Sequence, residues 1–461
     1  MSEKDLDELE ILVQNGFAIA SATSDNQFAR TLAGLCGVQS KIDDLVFNPR
    51  KFTGGEYCPV AVPEAIEGKR VYLVASPNPD KGTPQDLFSR ILIATDALKR
   101  NGAKEVWLLA TDLHYSRQDR GPHDIGEEEK AKDGSTDHKM KGQPLTAMVQ
   151  AKHFKTAGID RVVPIHIHSK KLFKIYGGAW LGIDEYNKEW NNPEWEKRLV
   201  AQGREILIPL NPAPIAAHYL LNKSSIANEI KPDGSNLVFF RPDLGSMEFI
   251  QDVRRYTFLE NSWLVECDKI RTEPNDESKI RIDIPHWPEG LTLNDKYVVF
   301  LDDGSETGGT LVKAASGLRR IQYIRKEEGI GEPEAVLVYI THPWLNGPYN
   351  EMTQKKLAAI KGMQEIMVGN TWTNIDDGRV ARFKEISTVI RFAQLYAHAI
   401  HCFENGVPLS EYFSFGNREE LDRKVGSLYA IKRSSMWAID GANTYRRSRP
   451  TKTLKIMPLE D

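Results

Sequence analysis

The sequence predicts an α/β protein built on two doubly wound, mostly parallel sheets, and three observations carry that expectation. Short apolar runs alternate with stretches of helical periodicity, as strand–helix–strand units require. The runs fall into two series: 17–20, 71–75, 106–110 and 162–168, then 237–240, 263–266, 297–301, 335–340 and 366–368. Helices with readable start and stop signals lie between runs of the first series.

The clearest helix follows the second run. Thr83 is the expected N-cap and Pro84 the first helical residue, a position where the missing N–H costs nothing. Leu87, Ile91, Ala94 and Leu98 recur at helical spacing and Gly102 supplies the stop. A second helix is expected from Pro144 to about Thr156, ending before Gly158. Three stretches fit neither series. Residues 121–143 are highly charged and read as a solvated loop. Residues 177–204 carry Trp180, Trp190 and Trp195 and read as an insertion with its own small packing surface. Beyond Gly406 the tail is amphipathic and basic, with Arg446, Arg447 and Arg449 close together.

Composition narrows the function classes. The 461 residues are enough for two or three domains with sizeable cores. Sixty basic against 64 acidic residues leave a net charge of −4, which argues against nucleic-acid binding and leaves phosphate recognition to local sites. No apolar run approaches the length of a membrane span, and the acidic start lacks a signal core, so no membrane association and a cytoplasmic location are expected. Four scattered cysteines show neither zinc spacing nor a disulfide framework.

The segment with the most chemistry is 301–311. An apolar strand runs into Asp302 and Asp303, then through Glu306, Thr307, Gly308, Gly309 and Thr310 into a helix expected near Leu311. A Gly-rich turn at a helix start aims free N–H groups and the positive helix end at a phosphate. Thr307 and Thr310 add hydroxyl donors, and the paired carboxylates suit vicinal sugar hydroxyls. A plain Asp-Asp-Gly turn before a flexible loop is the competing reading, and the full strand–acid–acid–turn–helix order weighs against it.

This segment resembles the phosphoribosyl-pyrophosphate signature of type I phosphoribosyltransferases and of the ribose-phosphate pyrophosphokinase family. Other motifs select the latter. Tyr115-Ser116-Arg117-Gln118-Asp119-Arg120 resembles that family's ATP-binding motif. Asp268-Lys269-Ile270-Arg271 resembles its mobile catalytic loop, and Thr341-His342-Pro343 its Thr-His segment. The similarity spans most of 15–405. It implies two type I phosphoribosyltransferase-like domains, 15–170 on the ATP side and 171–380 on the ribose 5-phosphate side. A closing helix in 381–405 should pack on the first domain, and 406–461 is an extension.

The resemblance implies the residue roles as well. Arg117 and Gln118 would bind ATP, with Phe52, Gly54, Gly55 and Glu56 reaching the adenine of a neighbouring subunit in a homo-oligomer. Asp302, Asp303, Glu306, Thr307, Gly308, Gly309 and Thr310 would hold ribose 5-phosphate. Lys269 and Arg271 would be catalytic, and His168 and Asp243 would bind Mg2+, the ion that oxygen ligands and a triphosphate favour. If 162–168 is a strand, alternation puts His166 on the face of His168. The implied reaction transfers the diphosphoryl group of ATP to C1 of ribose 5-phosphate. Departures from the family pattern at Gly54, His166 and Ser246, with the tryptophan-bearing stretch, motivate one alternative, a larger acceptor such as ADP-ribose; a non-catalytic regulatory homologue is the other, and Ile270, Thr272 and Glu306 depart from the pattern as well.

Overall fold

The computed structural model describes residues 16–23, 27–38, 50–58, 66–78, 82–120, 144–241, 247–271, 280–284, 286–345, 350–372 and 387–430. Asp243, the segment 121–143 and the basic tail beyond 430 lie outside them.

The chain opens with β1 (Phe17–Ser21) and α1 (Gln27–Leu35), then a short antiparallel ribbon of β2 (Arg50–Lys51) and β3 (Tyr57–Cys58). β4 (Arg70–Ala75), α2 (Pro84–Arg100), β5 (Glu105–Ala110), α3 (Thr146–Ala157) and β6 (Arg161–Val162) follow. They make a parallel sheet in the order β1-β4-β5-β6. The α2 start is a capping box: Thr83 Oγ1 accepts from the Asp86 N–H, and Asp86 accepts from the Thr83 N–H. Gly158 closes α3 at φ 99°, a left-handed conformation that glycine takes without a Cβ clash.

The expected strand at 162–168 is a correction: only Arg161 and Val162 pair as strand, and the chain then makes isolated bridges, Val162 to Leu207 and Ile165 to Leu210. Pro164 has no N–H to give a ladder, and His166 turns left-handed at φ 46°. Strand alternation therefore does not relate His166 to His168.

The tryptophan-bearing stretch also differs from expectation. It forms α4 (Lys171–Leu181), a 3-10 turn (Lys188–Asn191) and α5 (Pro193–Ile206). The two helices touch backbone to backbone: a Cβ on Gly177 would lie 1.8 Å from the Leu199 carbonyl oxygen, and one on Gly203 1.7 Å from that of Phe173. Leu172, Tyr176, Trp190 and Leu199 join Val71, Leu73, Val106 and Leu108 in one buried apolar cluster. The pair is thus a cover for the first sheet and not a separate surface.

The second half begins with α6 (Ala213–Asn222), β7 (Leu237–Arg241), α7 (Met247–Thr257) and β8 (Trp263–Glu266). An antiparallel ribbon of β9 (Asp268–Arg271) and β10 (Ile280–Asp283) comes next. β11 (Tyr297–Gly304), α8 (Gly309–Ile324), β12 (Ala335–His342), α9 (Asn350–Ala358), β13 (Met363–Gly369), β14 (Ser387–Ile390), α10 (Ala393–Asn405) and α11 (Arg418–Ala430) follow, with a 3-10 turn (Lys326–Glu328) after α8 and a single helical turn (Leu409–Tyr412) before α11. The six-stranded sheet runs β14-β13-β12-β11-β7-β8, parallel throughout. Strands buried on both faces explain the near-continuous apolar runs, such as Ala335–His342, whose residues are all buried.

One apolar cluster joins the two sheets, with Ile19, Tyr72 and Leu109 from the first and Phe239, Val299 and Tyr339 from the second. α10 seals it. Tyr396 donates to the Val163 carbonyl at 2.8 Å and stacks edge-on against Phe28. Glu404 accepts from Arg70 at 2.8 Å and from Tyr72 at 2.6 Å.

Candidate active site

The carboxyl ends of parallel strands are where such sheets bind ligands, and here the two sheets bring those ends together. After β5, Thr111 donates to the Thr371 carbonyl at 2.5 Å, and after β4, Ser76 donates to the same oxygen at 3.3 Å. Thr371 follows β13, so β4, β5 and β13 end in one place. Beside it, His342 at the end of β12 lies 3.2 Å, through Nε2, from the His166 carbonyl. A carbonyl can only accept, so His342 carries its proton on Nε2 in this contact.

The turn after β11 is built as the sequence suggests. α8 starts at Gly309, two residues before Leu311, with Gly308 as a left-handed cap at φ 69°. Thr307 Oγ1 accepts from the Gly309 N–H at 3.3 Å. Asp302 is buried and accepts from the Asp303 N–H at 3.1 Å, while Asp303 accepts from the Gly304 N–H at 2.8 Å. These bonds fix both carboxylates at the strand end.

Arg117, in the loop after β5, reaches across to this turn. Its Nη1 lies 2.9 Å from Glu306 Oε2, and its guanidinium sits over the Trp344 ring, 4.4 Å from the centroid. The ATP-like motif and the phosphate-loop turn are therefore neighbours. Gln118 is engaged differently. Its carbonyl oxygen accepts from the Thr146 N–H at 2.7 Å and its amide donates to the Pro144 carbonyl, so it caps the start of α3. Phe52 lies at the tip of the β2–β3 ribbon, 56% exposed, where Gly55 turns at φ 93°. Tyr57 braces that ribbon on α2 by donating to Asp86 at 2.9 Å.

His168 Nδ1 lies 2.7 Å from Asp303 Oδ2. That hydrogen bond, working against burial, raises the His168 pKa above the usual imidazole value. Burial disfavours the Asp303 charge, yet the His168 bond and the nearby histidines outweigh it and hold the carboxyl well below its ordinary range. His166 goes elsewhere: its ring faces Thr341 Oγ1 at 3.1 Å, and burial pushes its pKa down to about 4. Among the described residues, no three His, Cys, Asp or Glu side chains converge to hold an ion unaided. His168 and Asp303 still offer a nitrogen and carboxylate oxygens, and Mg2+ commonly takes one or two protein ligands beside phosphate oxygens and water.

Lys269 and Arg271 lie in β9, opposite Ile282 and Ile280 of β10. The expected loop at 268–271 is thus an antiparallel ribbon.

Sequence reading missed Asp112, Trp344 and Trp372. Asp112 Oδ2 accepts both indole N–H groups at 2.7 Å. The three residues lie far apart in the chain, and only the meeting of the strand ends brings them together.

Comparison with known proteins agrees with the motif reading. Residues 17–132 match the family model of the N-terminal domain of ribose phosphate pyrophosphokinase. The chain is 25% identical over 395 residues to a ribose-phosphate pyrophosphokinase of Clostridium acetobutylicum, covering 86% of this chain and 96% of that one. It is 26% identical over 378 residues to ribose-phosphate pyrophosphokinase 1 of Streptococcus pneumoniae, covering 82% and 89%. In fold it resembles the crystal structure of phosphoribosylpyrophosphate synthetase from Mycobacterium smegmatis, with a TM-score of 0.57 at 22% identity, over 85% of this chain and all of that one. The resemblance to the ribose-phosphate pyrophosphokinases is thereby borne out, as is the two-sheet type I phosphoribosyltransferase-like fold.

Proposed function

We propose that the chain is a ribose-phosphate diphosphokinase, which moves an intact diphosphoryl group from ATP to the C1 hydroxyl of ribose 5-phosphate for nucleotide biosynthesis. The observation that carries this reading is the 2.9 Å contact between Arg117 and Glu306. It supports the reading because it brings the loop after β5 against the turn after β11, the two segments assigned here to ATP and to the sugar phosphate.

In this reading Asp302 and Asp303 orient the sugar hydroxyls, and the N–H groups of 307–310 at the α8 start receive the 5-phosphate. Arg117 and the exposed Phe52 ribbon belong to the ATP side. The exposure of Phe52 supports its use by a second copy of the chain, and so a homo-oligomer. The first sheet, with α4 and α5 as its cover, forms the ATP domain, and the second sheet the sugar-phosphate domain. Attack falls on the β-phosphorus, in line with the departing α-phosphate oxygen. No protein nucleophile is needed, so positioning and charge neutralisation dominate. Lys269 and Arg271 of β9 stabilise the charge of the transferring group. His168 and Asp243 would hold Mg2+, which would supply charge neutralisation at the phosphates.

No helix among the described residues is long and apolar enough to cross a membrane; the proposed reaction is a cytoplasmic one. Incubation with ATP, Mg2+ and either ribose 5-phosphate or ADP-ribose, followed by measurement of AMP and the pyrophosphorylated product, tests the assignment. Product with ribose 5-phosphate is expected. Product with ADP-ribose alone would replace the acceptor, and no AMP with either would leave a regulatory homologue.

A further inference from the structure

Arg117 is held by more than its partner Glu306, and the second support leads to a buried carboxylate outside every motif. Asp112 is only 6% exposed, in the loop after β5. One oxygen, Oδ2, receives the Trp344 and Trp372 indole N–H groups, each at 2.7 Å. His342 Nδ1 lies 3.7 Å from the other oxygen. Burial opposes the Asp112 charge, but His342, His114 and the two indoles hold its pKa below the usual carboxylate value.

The Trp344 ring has four engagements, one of them a stacked contact with the His342 ring at 6.2 Å. Its N–H is fixed by Asp112. Its face carries the Arg117 guanidinium, 4.4 Å from the ring centroid. Its six-membered ring also covers Gly304, where an added Cβ would come within 2.4 Å of it. Gly304 directly follows Asp303, so one plate touches the Arg117 loop and the end of β11. An indole donating to a carboxylate gains electron density on its ring, which strengthens attraction for a cation on its face. Trp372 donates to the same oxygen, but its ring packs edge-on against His114 at 5.7 Å. The two hydrogen bonds are alike in length and differ in what the indole then supports.

We propose that Asp112 is a positioning residue, which fixes the Trp344 indole through its N–H and thereby sets the plane on which Arg117 presents itself to ATP. The role in ATP binding rests on the functional reading above; the control of Arg117 geometry does not.

Three variants test this: Asp112→Asn, Trp344→Phe, which keeps an aromatic face but removes the N–H, and Trp372→Phe as the control. The first readout is the set of nuclear Overhauser contacts between the Arg117 side-chain protons and the ring at 344. These are expected to weaken severalfold in Asp112→Asn and Trp344→Phe and to persist in Trp372→Phe. The second readout is kinetic. The KM for ATP should rise about tenfold in the first two variants, while the KM for ribose 5-phosphate stays within about twofold. Added to Arg117→Lys, Asp112→Asn should raise the KM for ATP no further. Persistence of the Arg117 contacts in Asp112→Asn would overturn the proposal. If that variant does not fold, persistence in Trp344→Phe would do so. Lost contacts with an unchanged KM for ATP would instead strike the placement of Arg117 on the ATP side and leave its positioning by Asp112 standing.

Discussion

Arg117 and Glu306 form a 2.9 Å ion pair between the loop after β5 and the turn after β11, with side chains 53% and 42% exposed. Exposed pairs of this kind contribute about 0–1 kcal/mol to stability. The pair matters for the geometry of the site rather than for holding the domains together. Arg117→Lys keeps the charge and loses the planar group that lies on Trp344. The expected outcome is a KM for ATP raised about tenfold with a melting temperature within a few degrees of wild type. Steady-state kinetics beside calorimetry checks both.

Gly308 tests the other half. It caps α8 at φ 69°, and a Cβ there would meet Leu357 and Thr353 at 3.3 Å. Gly308→Ala therefore carries the left-handed strain of about 1–2 kcal/mol, and the Leu357 and Thr353 side chains must give way slightly. The KM for ribose 5-phosphate should rise roughly tenfold or more, with a smaller change for ATP. Equal effects on both substrates would argue against a separate sugar-phosphate turn.

The α4–α5 pair gives a prediction about the fold. A Cβ on Gly203 would fall 1.7 Å from the Phe173 carbonyl oxygen, so the helices must part. Gly203→Ala should lower stability by about 2–4 kcal/mol, read as a denaturation midpoint. Because that pair covers the first sheet, the loss should appear in its cooperative unit and not as a local fraying.

Acid sensitivity follows from His398 on α10, whose burial pushes its pKa down to about 3. The folded chain keeps this imidazole neutral while the unfolded chain protonates it near its ordinary value of 6.5. Its stabilising contribution is thus fully present above about pH 6.5 and declines as the pH falls toward 3, by about 1.4 kcal/mol per pH unit. His398→Gln should flatten the stability–pH profile across that window. An unchanged slope would show that other groups govern acid unfolding.

Much of this was legible in the sequence because parallel strands buried on both faces leave unbroken apolar runs. The Thr83-Pro84 start of α2 was readable because a capping box is a local device. The reading failed where tertiary contacts decided. The run 162–168 looks like a strand by composition, but Pro164 and the left-handed His166 end it after Val162. The Gly177–Gly203 contact has no local signature, so two helices tight against the first sheet looked like an insertion. Within the site, the Asp302–Thr310 turn was visible as one contiguous motif. Asp112, Trp344 and Trp372 were not, because the carboxylate meets its indoles only where the strand ends converge.

Diphosphoryl transfer is tested most directly by 31P NMR of the chain with ATP, Mg2+ and ribose 5-phosphate, run beside Lys269→Ala. Wild type should convert the ATP signals to AMP and a C1-linked diphosphate. Lys269→Ala should fold normally and lose on the order of 10³-fold in rate. Release of inorganic phosphate in place of AMP, or near-normal AMP formation by Lys269→Ala, would contradict the account.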